Sequence, residues 1–279
     1  TNILGGTLEI RNGAAIANTG TVNVQSPGIF AVTNAETIGN LTGNGSTTLA
    51  ANLTLGAASG NYAGTVSGAG ALALSAGSKT FSGALTNAGG LTLSGTAATT
   101  FTATGSIVNA NTAITTVGTA NSVTNNGSIT GSTGVRFATG SVTLTNNGTG
   151  TIAGGISAVQ SDAAVTSTMV SNAGQLLGNA NYAIRIQGGS LNLENLTGGN
   201  IGSASGGGIN FGGTTASITN RAGATIAGAT NFNAIQSTAT MAILNQGTIS
   251  TVNPNFTAIF STAKIDLTNA SLITGGYDG

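Results

Sequence analysis

The stretch Val123-Thr124-Asn125-Asn126-Gly127-Ser128-Ile129-Thr130-Gly131 decides the fold, because seven versions of it follow one another along the chain. In each version an apolar residue stands two places before an Asn, and another apolar residue follows the Asn. The repeated residues are Asn125, Asn146, Asn172, Asn195, Asn220, Asn245 and Asn269, at successive intervals of 21, 26, 23, 25, 25 and 24. A period of about 24 residues with one fixed polar residue predicts a solenoid of stacked coils.

A second anchor recurs within the same period. It is a β-branched residue, and its positions are Val135, Val159, Ile184, Ile209, Ile235 and Ile259, at successive intervals of 24, 25, 25, 26 and 24. Two anchors in each period predict at least two strands per coil, joined by turns that absorb differences in length.

The apolar residue after each Asn indicates which way the Asn points. It follows at an offset of four in four repeats, as in Ile129, and at six in three repeats, as in Ile152. Both offsets are even, so the side-chain alternation of the strands is preserved. The parity places the Asn on the inner side, where stacked amides can form a hydrogen-bonded ladder. The alternative is that Asn only supplies a residue suited to a tight turn.

The composition favours strands throughout the 279 residues. Gly, Thr, Asn and Ser dominate, and all are neutral or poor in helix interiors. Short runs at period two, such as Ala71–Leu74, are typical of strands between tight turns. We expect an all-β chain, a parallel β-helix (β-solenoid) that forms one domain over residues 1–279, with roughly 12 coils of about 20–26 residues.

Charge and hydropathy limit the classes of partner. Six basic and six acidic residues balance to zero, which gives no electrostatic reason to expect nucleic acid as a partner. No run of 18 apolar residues exists and no signal peptide is evident. Because the chain does not begin with Met, we expect it to be a processed or excised piece of a longer protein.

The chain contains two kinds of repeat, and one replaces the other near residue 106 without a linker between them. Residues 107–279 carry the Asn-centred repeat. Residues 1–106 carry shorter coils, in which Tyr62-Ala63-Gly64 and Phe81-Ser82-Gly83 recur at an interval of 19. Neither composition nor strand pattern breaks between the two parts, so we expect one continuous solenoid.

The repeats resemble those of a known family. Tyr62-Ala63-Gly64-Thr65, the following Gly70–Ser75 and Gly90–Gly95 are similar to autotransporter-associated β-strand repeats. The run Thr124–Gly131 resembles the passenger repeats of autotransporters and haemagglutinin-type adhesins. The resemblance covers about residues 38–279. It implies a right-handed parallel β-helix that is secreted through the outer membrane of a Gram-negative bacterium and is displayed or released.

The same resemblance shapes the expected localisation. The family's signal peptide and C-terminal β-barrel are not in this sequence, so the resemblance implies a passenger fragment, or a passenger-like subunit that travels by another route. We expect an extracellular or outer-membrane-surface location. Membrane association would come only through a barrel or another anchor outside these residues.

Catalytic constellations are not evident in the sequence. The chain has no His to act as the base of a nucleophilic triad and no Cys. The acidic residues are dispersed: Glu9, Glu36, Asp162, Glu194, Asp266 and Asp278. Asp162 and Glu194 occur at different phases of the repeat, whereas glycoside hydrolysis needs two carboxylates within about 5–10 Å. We therefore expect no enzyme activity, no cofactor and no metal site.

One column of outward residues is a candidate binding surface. The residue after each second anchor should face solvent, which predicts a binding strip of Arg136, Gln160, Arg185, Asn210, Gln236 and Phe260. Arg, Gln and Asn donors in a row can bind glycan hydroxyls or a protein partner. The alternative is a solvated face that keeps the solenoid soluble.

Three functions remain open on these grounds. The first is a surface adhesin that mediates attachment or cell–cell aggregation, with a host or bacterial surface glycan or protein, or a second copy, as its partner. The second is a structural stalk or a self-assembling extracellular filament subunit that stacks end to end. The third is a β-helix glycan-degrading enzyme, which paired carboxylates in a surface groove would indicate.

Overall fold

The computed structural model describes residues 1–253 and 255–275, and every regular element in this part of the chain is a β-strand. The 33 strands pair in parallel and stack in about 12 coils. The predicted all-β, parallel β-solenoid is therefore confirmed. Each regular coil contributes one strand to each of three faces, one more than the minimum of two that the anchors required.

The first face contains the repeated Asn residues. Its strands, numbered in chain order, are β1 (Asn2–Ile3), β3 (Thr21–Val24), β6 (Asn40–Gly43), β9 (Asn61–Tyr62), β12 (Ser78–Phe81), β15 (Ala98–Phe101), the C-terminal parts of β17 (Thr112–Asn125) and β18 (Ser128–Asn146), β20 (Val165–Asn172), β23 (Ser190–Asn195), β26 (Thr215–Asn220), β29 (Thr240–Asn245) and β32 (Ile265–Asn269).

The second face follows the turn after each Asn. It contains β2 (Thr7–Ile10), β4 (Ile29–Val32), β7 (Ser46–Leu49), β10 (Thr65–Gly68), β13 (Ala84–Leu85), β16 (Ser106–Val108), the N-terminal parts of β18 and β19 (Thr151–Ser161), β21 (Gln175–Gly178), β24 (Asn200–Ser203), β27 (Thr225–Gly228), β30 (Thr248–Thr251) and β33 (Leu272–Thr274).

The third face contains the second anchor. Its strands are β5 (Glu36–Ile38), β8 (Leu53–Leu55), β11 (Leu72–Leu74), β14 (Leu91–Gly95), the N-terminal part of β17, the middle of β18, the C-terminal part of β19, β22 (Ile184–Ile186), β25 (Ile209–Phe211), β28 (Ile235–Ser237) and β31 (Ile259–Ser261).

The register is preserved wherever the turn after the Asn changes length. Ile129 pairs with Ile152, and Ile152 pairs with Leu176, although the turn before Ile152 is two residues longer than the other two. The turn absorbs the extra residues because an even insertion leaves every side chain on its original side of the strand.

A narrow apolar core runs the length of the stack. Val, Ile and Leu alternate with outward residues on all three faces, and most of them are fully buried. The shorter coils also bury aromatic rings, among which Phe81 and Phe101 stack with ring centroids 5.6 Å apart. The hydrophobic burial that stabilises the fold is therefore spread evenly along the stack instead of being concentrated in one central cluster.

Within the part of the chain that the structure describes, no helix is long and apolar enough to cross a membrane.

Candidate functional site

The structure places the seven repeated Asn residues in one column on the first face. In the first six, Nδ2 donates a hydrogen bond to the Oδ1 of the Asn in the next coil, and Asn269 Nδ2 donates to Ser271 O. The six donor–acceptor distances are 2.8 or 2.9 Å, along Asn125–Asn146–Asn172–Asn195–Asn220–Asn245–Asn269. The first six side chains are buried and Asn269 is exposed, because no described strand stacks beyond β32. All the amide dipoles point the same way, and such chains polarise one another.

The same amides also hold the turns that follow them. Asn125 Nδ2 donates to Gly127 O, and Asn125 Oδ1 accepts from Gly127 N, both at 3.2 Å. Asn146, Asn172 and Asn195 repeat the contact to a turn carbonyl. The inward ladder and the turn were separate interpretations of the sequence, yet one side chain performs both roles. The column is a structural device, and its buried members are closed to a ligand.

The six residues of the predicted binding strip lie in one register column on the outer side of the third face. The pairing runs through Arg136, Gln160, Arg185, Asn210, Gln236 and Phe260. Arg136 and Phe260 are exposed, and the four residues between them are half-buried. The first five strip residues stand between buried neighbours and Phe260 stands between half-buried ones, so the strip borders solvent along its whole length.

Arg136 and Gln236, which lie towards the two ends of the strip, each form a hydrogen bond with a side chain from outside the strip. The Arg136 guanidinium donates two hydrogen bonds to Asp162, at 3.2 and 2.6 Å, and this contact raises the pKa of Arg136. The Tyr182 hydroxyl donates to Gln236 Oε1, and burial raises the pKa of Tyr182. Within residues 1–253 and 255–275, Arg185 has no ion-pair partner. Arg185 is therefore the strip's available cation, with Gln160 and Asn210 on either side.

The Tyr182 ring is held firmly beside the strip. It packs edge-on against Phe232, with centroids 5.4 Å apart and planes at 88°. A Cβ at Gly207 would lie 2.1 Å from the Tyr182 ring, so only Gly leaves room for it. The Tyr182 ring beside Gln236 is therefore held in one orientation by its neighbours.

A second surface feature lies on the outer side of the first face. It is a shallow groove of about 230 Å³, lined among others by Met169, Asn192 and Glu194. The Met169 side chain is 51% exposed. The groove is smaller than a typical small-molecule pocket, which has about 300–1,000 Å³.

Four of the carboxylates that the structure describes, those of Glu9, Glu36, Asp162 and Glu194, are used in local contacts, and Asp266 is exposed on β32. Glu194 accepts a hydrogen bond of 2.8 Å from Arg221 Nε, and Glu9 pairs with Arg11 at 2.8 Å. Glu36 is buried and accepts from the backbone N–H of Ala15 at 2.9 Å. Asp278 lies outside the described residues. Among the described residues, no three acidic, His or Cys side chains come together as metal ligands.

The sequence interpretation missed one buried cation. Lys79 lies on β12 with no exposed surface, and its Nζ donates to Asn40 Oδ1 at 3.0 Å, Ser59 O at 2.7 Å and Leu41 O. Burial lowers the pKa of Lys79 to about 8. Period-two alternation from the buried Phe81 could have placed Lys79 on the inner side.

Comparison of the chain with protein-family models, with curated proteins and with solved structures finds no match in any of the three. The fold is therefore known from the structure itself. The site residues rest on the geometry described above.

Proposed function

We propose that this chain is a bacterial cell-surface or secreted β-helical adhesin module that mediates attachment or cell–cell aggregation. The observation that supports it is the in-register strip from Arg136 to Phe260 on a stack of coils with a regular interior. The similarity of the repeats to autotransporter passenger repeats supports the same function.

The strip suits a repeating, uncharged ligand. Parallel strands place neighbouring side chains about 4.8 Å apart, so an extended glycan or peptide can contact several coils at once. Amide and guanidinium groups donate hydrogen bonds to hydroxyl and carbonyl oxygens. Each contact is individually weak, but contacts made along one rigid ladder act together. We propose a surface glycan or protein of the host or of another bacterium as the partner, or a second copy of this chain.

The proposed location follows from this partner. The module acts outside the cell or at the outer-membrane surface, where such ligands are found. Nucleic acid is not proposed as a partner, since the six basic and six acidic residues balance.

The experiment that tests the proposal compares an arginine of the strip with an arginine in the turn after β26. Arg185→Ser removes the available cation of the strip, and Arg221→Ser removes an arginine paired with Glu194 on the first face. Beads coated with each protein are tested for binding to bacterial and epithelial cells and to arrays of neutral glycans. We expect Arg185→Ser to weaken binding about tenfold or more, because a hydrogen bond to a charged group contributes about 1.5–3 kcal/mol.

Arg221→Ser should bind like the unmodified protein, and Arg136→Ser should have a smaller effect because Asp162 already occupies its guanidinium. Equal binding by the Arg185→Ser and unmodified proteins would remove the strip from the proposal. A coated bead that binds no cell and no glycan would contradict the adhesin function.

A second candidate function is a structural stalk or filament subunit. Two observations favour it. The interior repeats from coil to coil, with the same Asn in seven coils, whereas the residues of the outer strip change. Regular stacking is therefore the feature that the repeats share. Electron micrographs of the purified chain distinguish the two functions. Regular filaments that bind no cells favour the structural function, and short isolated rods that bind cells favour the adhesin.

A further inference from the structure

The buried amine of Lys79 and the side-chain amide of Asn40 lie in direct contact inside the shorter coils. Lys79 Nζ is 3.0 Å from Asn40 Oδ1. The carbonyl bond is about 1.23 Å long, so Nζ lies at most about 4.2 Å from Asn40 Cγ. Lys79 has no exposed surface and Asn40 is 9% exposed. Nζ has only uncharged oxygen partners among the described residues.

Two backbone groups polarise the same amide. Asn40 Oδ1 accepts hydrogen bonds from Leu41 N at 3.0 Å and from Ser59 N at 3.1 Å. Fixed N–H donors at this distance stabilise the oxyanion that forms when a nucleophile attacks a carbonyl. On the other side of the amide, Asn40 Nδ2 donates to Ser59 Oγ at 2.9 Å. The carbonyl oxygen and the leaving nitrogen each have a partner in place.

We propose that Lys79 and Asn40 form an intramolecular isopeptide bond. The Nζ lone pair of the neutral amine attacks Asn40 Cγ, and negative charge develops on Oδ1 between the two N–H donors. The Cγ–Nδ2 bond then breaks. One proton passes from Nζ to Nδ2, which the Ser59 hydroxyl contacts, and ammonia leaves. One N–C bond forms and one breaks, so no oxidant, reductant or co-reactant is required.

The environment supplies the neutral amine that the step needs. Burial lowers the pKa of Lys79 to about 8, so about a tenth of the amines are neutral at pH 7, compared with far fewer for an ordinary lysine. Formation should accelerate as the pH rises through about 8. Ser59 lies at the exposed edge of the site, which gives ammonia a route to solvent.

The bond would connect coils that are not neighbours in the stack. Asn40 lies on β6 and Lys79 on β12, and β9 lies between them on the same face. It would lock three successive coils together and replace a buried charge by a neutral amide, which removes the cost of keeping that charge out of water. The proposal concerns the shorter coils and does not depend on what the outer strip binds.

The test is the mass of the whole denatured chain, followed by peptide mapping. After incubation at about pH 9, where most of the amine is neutral, we expect a mass lower than the sequence mass by one ammonia. Proteolysis should yield one branched peptide that contains both Asn40 and Lys79. This measurement needs no variant, so it does not depend on how a variant folds.

Variants sharpen the assignment. Lys79→Met should show the full sequence mass, and the matched control Lys264→Met, which changes an exposed lysine, should still lose one ammonia. Ser59→Ala should form the bond more slowly. A full sequence mass for the unmodified chain after the incubation overturns the proposal. So does a loss of ammonia accompanied by separate linear peptides for Asn40 and Lys79, because succinimide formation at an Asn would give that result.

Discussion

At the scale of single residues, the amide of Asn195 shows how the stack is held together. Its Nδ2 donates to Asn220 Oδ1 at 2.9 Å, and its Oδ1 accepts from Asn172 Nδ2 at 2.8 Å. It also donates to the turn carbonyl of Gly199 at 3.2 Å. The side chain is fully buried, so no water replaces these partners if they are lost. One residue therefore connects three coils and one turn.

Removal of this amide should be costly. We expect Asn195→Ala to lower the free energy of unfolding by about 2–4 kcal/mol, because it leaves polar groups of both neighbouring coils unpaired and opens a small cavity. The matched control is Asn192→Ala on the same strand, whose side chain is exposed and should change stability by about 0.5 kcal/mol or less. Urea denaturation, monitored by circular dichroism, measures the free energy of unfolding of both variants. Similar midpoints for the two variants would show that the ladder contributes little.

Tyr62 gives a prediction for alkaline pH. Its hydroxyl donates to Gly45 O at 2.9 Å and lies 2.8 Å from Thr47 Oγ1, and burial raises its pKa to about 12. The unfolded chain ionises at its ordinary pKa near 10, while the folded protein keeps the proton. This contribution to stability is fully present below pH 10 and is lost as the pH rises through 12.

The Tyr62→Phe variant isolates that effect. Between about pH 9 and 12, the unmodified protein should lose roughly 2–3 kcal/mol more than Tyr62→Phe does. At neutral pH the variant should be less stable by about 1–3 kcal/mol, because Gly45 O loses its buried donor. Urea midpoints across this pH range are the measurement. Parallel curves for the two proteins would mean that Tyr62 ionises as an exposed tyrosine does.

Some residue-scale features could be predicted from the sequence and others could not. The inner position of Asn125 follows from parity, since it stands two places from Val123. The ion pair between Arg136 and Asp162 spans one coil, and its formation depends on how a corner bends, which spacing alone does not specify. The contact between Lys79 and Asn40 crosses two coil steps of 19 residues each, but the two residues are 39 apart and so do not share a register position. This contact required the three-dimensional stack.

At the scale of elements, the turns differ in length from coil to coil, whereas the strands keep the same register. The turn Asn146-Asn147-Gly148-Thr149-Gly150 is two residues longer than Asn125-Asn126-Gly127, yet the strands that follow them pair residue by residue. A slip of one residue would bring the apolar side chains of the following strand to solvent.

Deletions in this turn test that principle. Removing Gly148 and Thr149 together leaves Asn146-Asn147-Gly150-Thr151-Ile152, the same form as Asn125–Ile129, and should cost less than about 1 kcal/mol, since loop length enters stability only weakly. Removing Thr149 alone should cost at least about 3 kcal/mol, because Ile152 and its neighbours must either turn outward or strain the turn. Thermal unfolding of the two variants gives the comparison. A double deletion as damaging as the single one would contradict the parity rule.

The number of faces was the element-scale feature that the sequence left open. The two anchors mark the first and third faces. The second face begins only a few residues after each Asn, so that its apolar residue reads as part of the Asn motif. Because the turn is so short, the alternation of apolar and polar residues does not reveal where one strand ends and the next begins. In the shorter coils the stacking of Leu53, Leu72 and Leu91 at intervals of 19 was accessible to spacing arguments.

At the scale of the whole molecule, inner and outer residues carry different information. The inner columns repeat because each must fit the coil beside it, so the architecture could be predicted from one sequence. The outer columns are free to vary, and the strip reads Arg, Gln, Arg, Asn, Gln and Phe along its length. A ligand is recognised by those variable positions, which is why the partner does not follow from periodicity. The adhesin function therefore stays a proposal that binding experiments must test.

Stacking of the coils in this register with a constant rise underlies every site described for this protein, and spin-label distances test it most directly. The chain has no Cys, so labels can be placed at will on one outward column of the first face. The pairs Thr124–Thr219, Thr80–Thr219 and Thr80–Thr268 are separated by four, six and eight coil steps. At about 4.8 Å for each step, pulsed electron paramagnetic resonance should give label separations of roughly 19, 29 and 38 Å. Distances that do not increase in proportion to the number of coils would contradict the stacked solenoid.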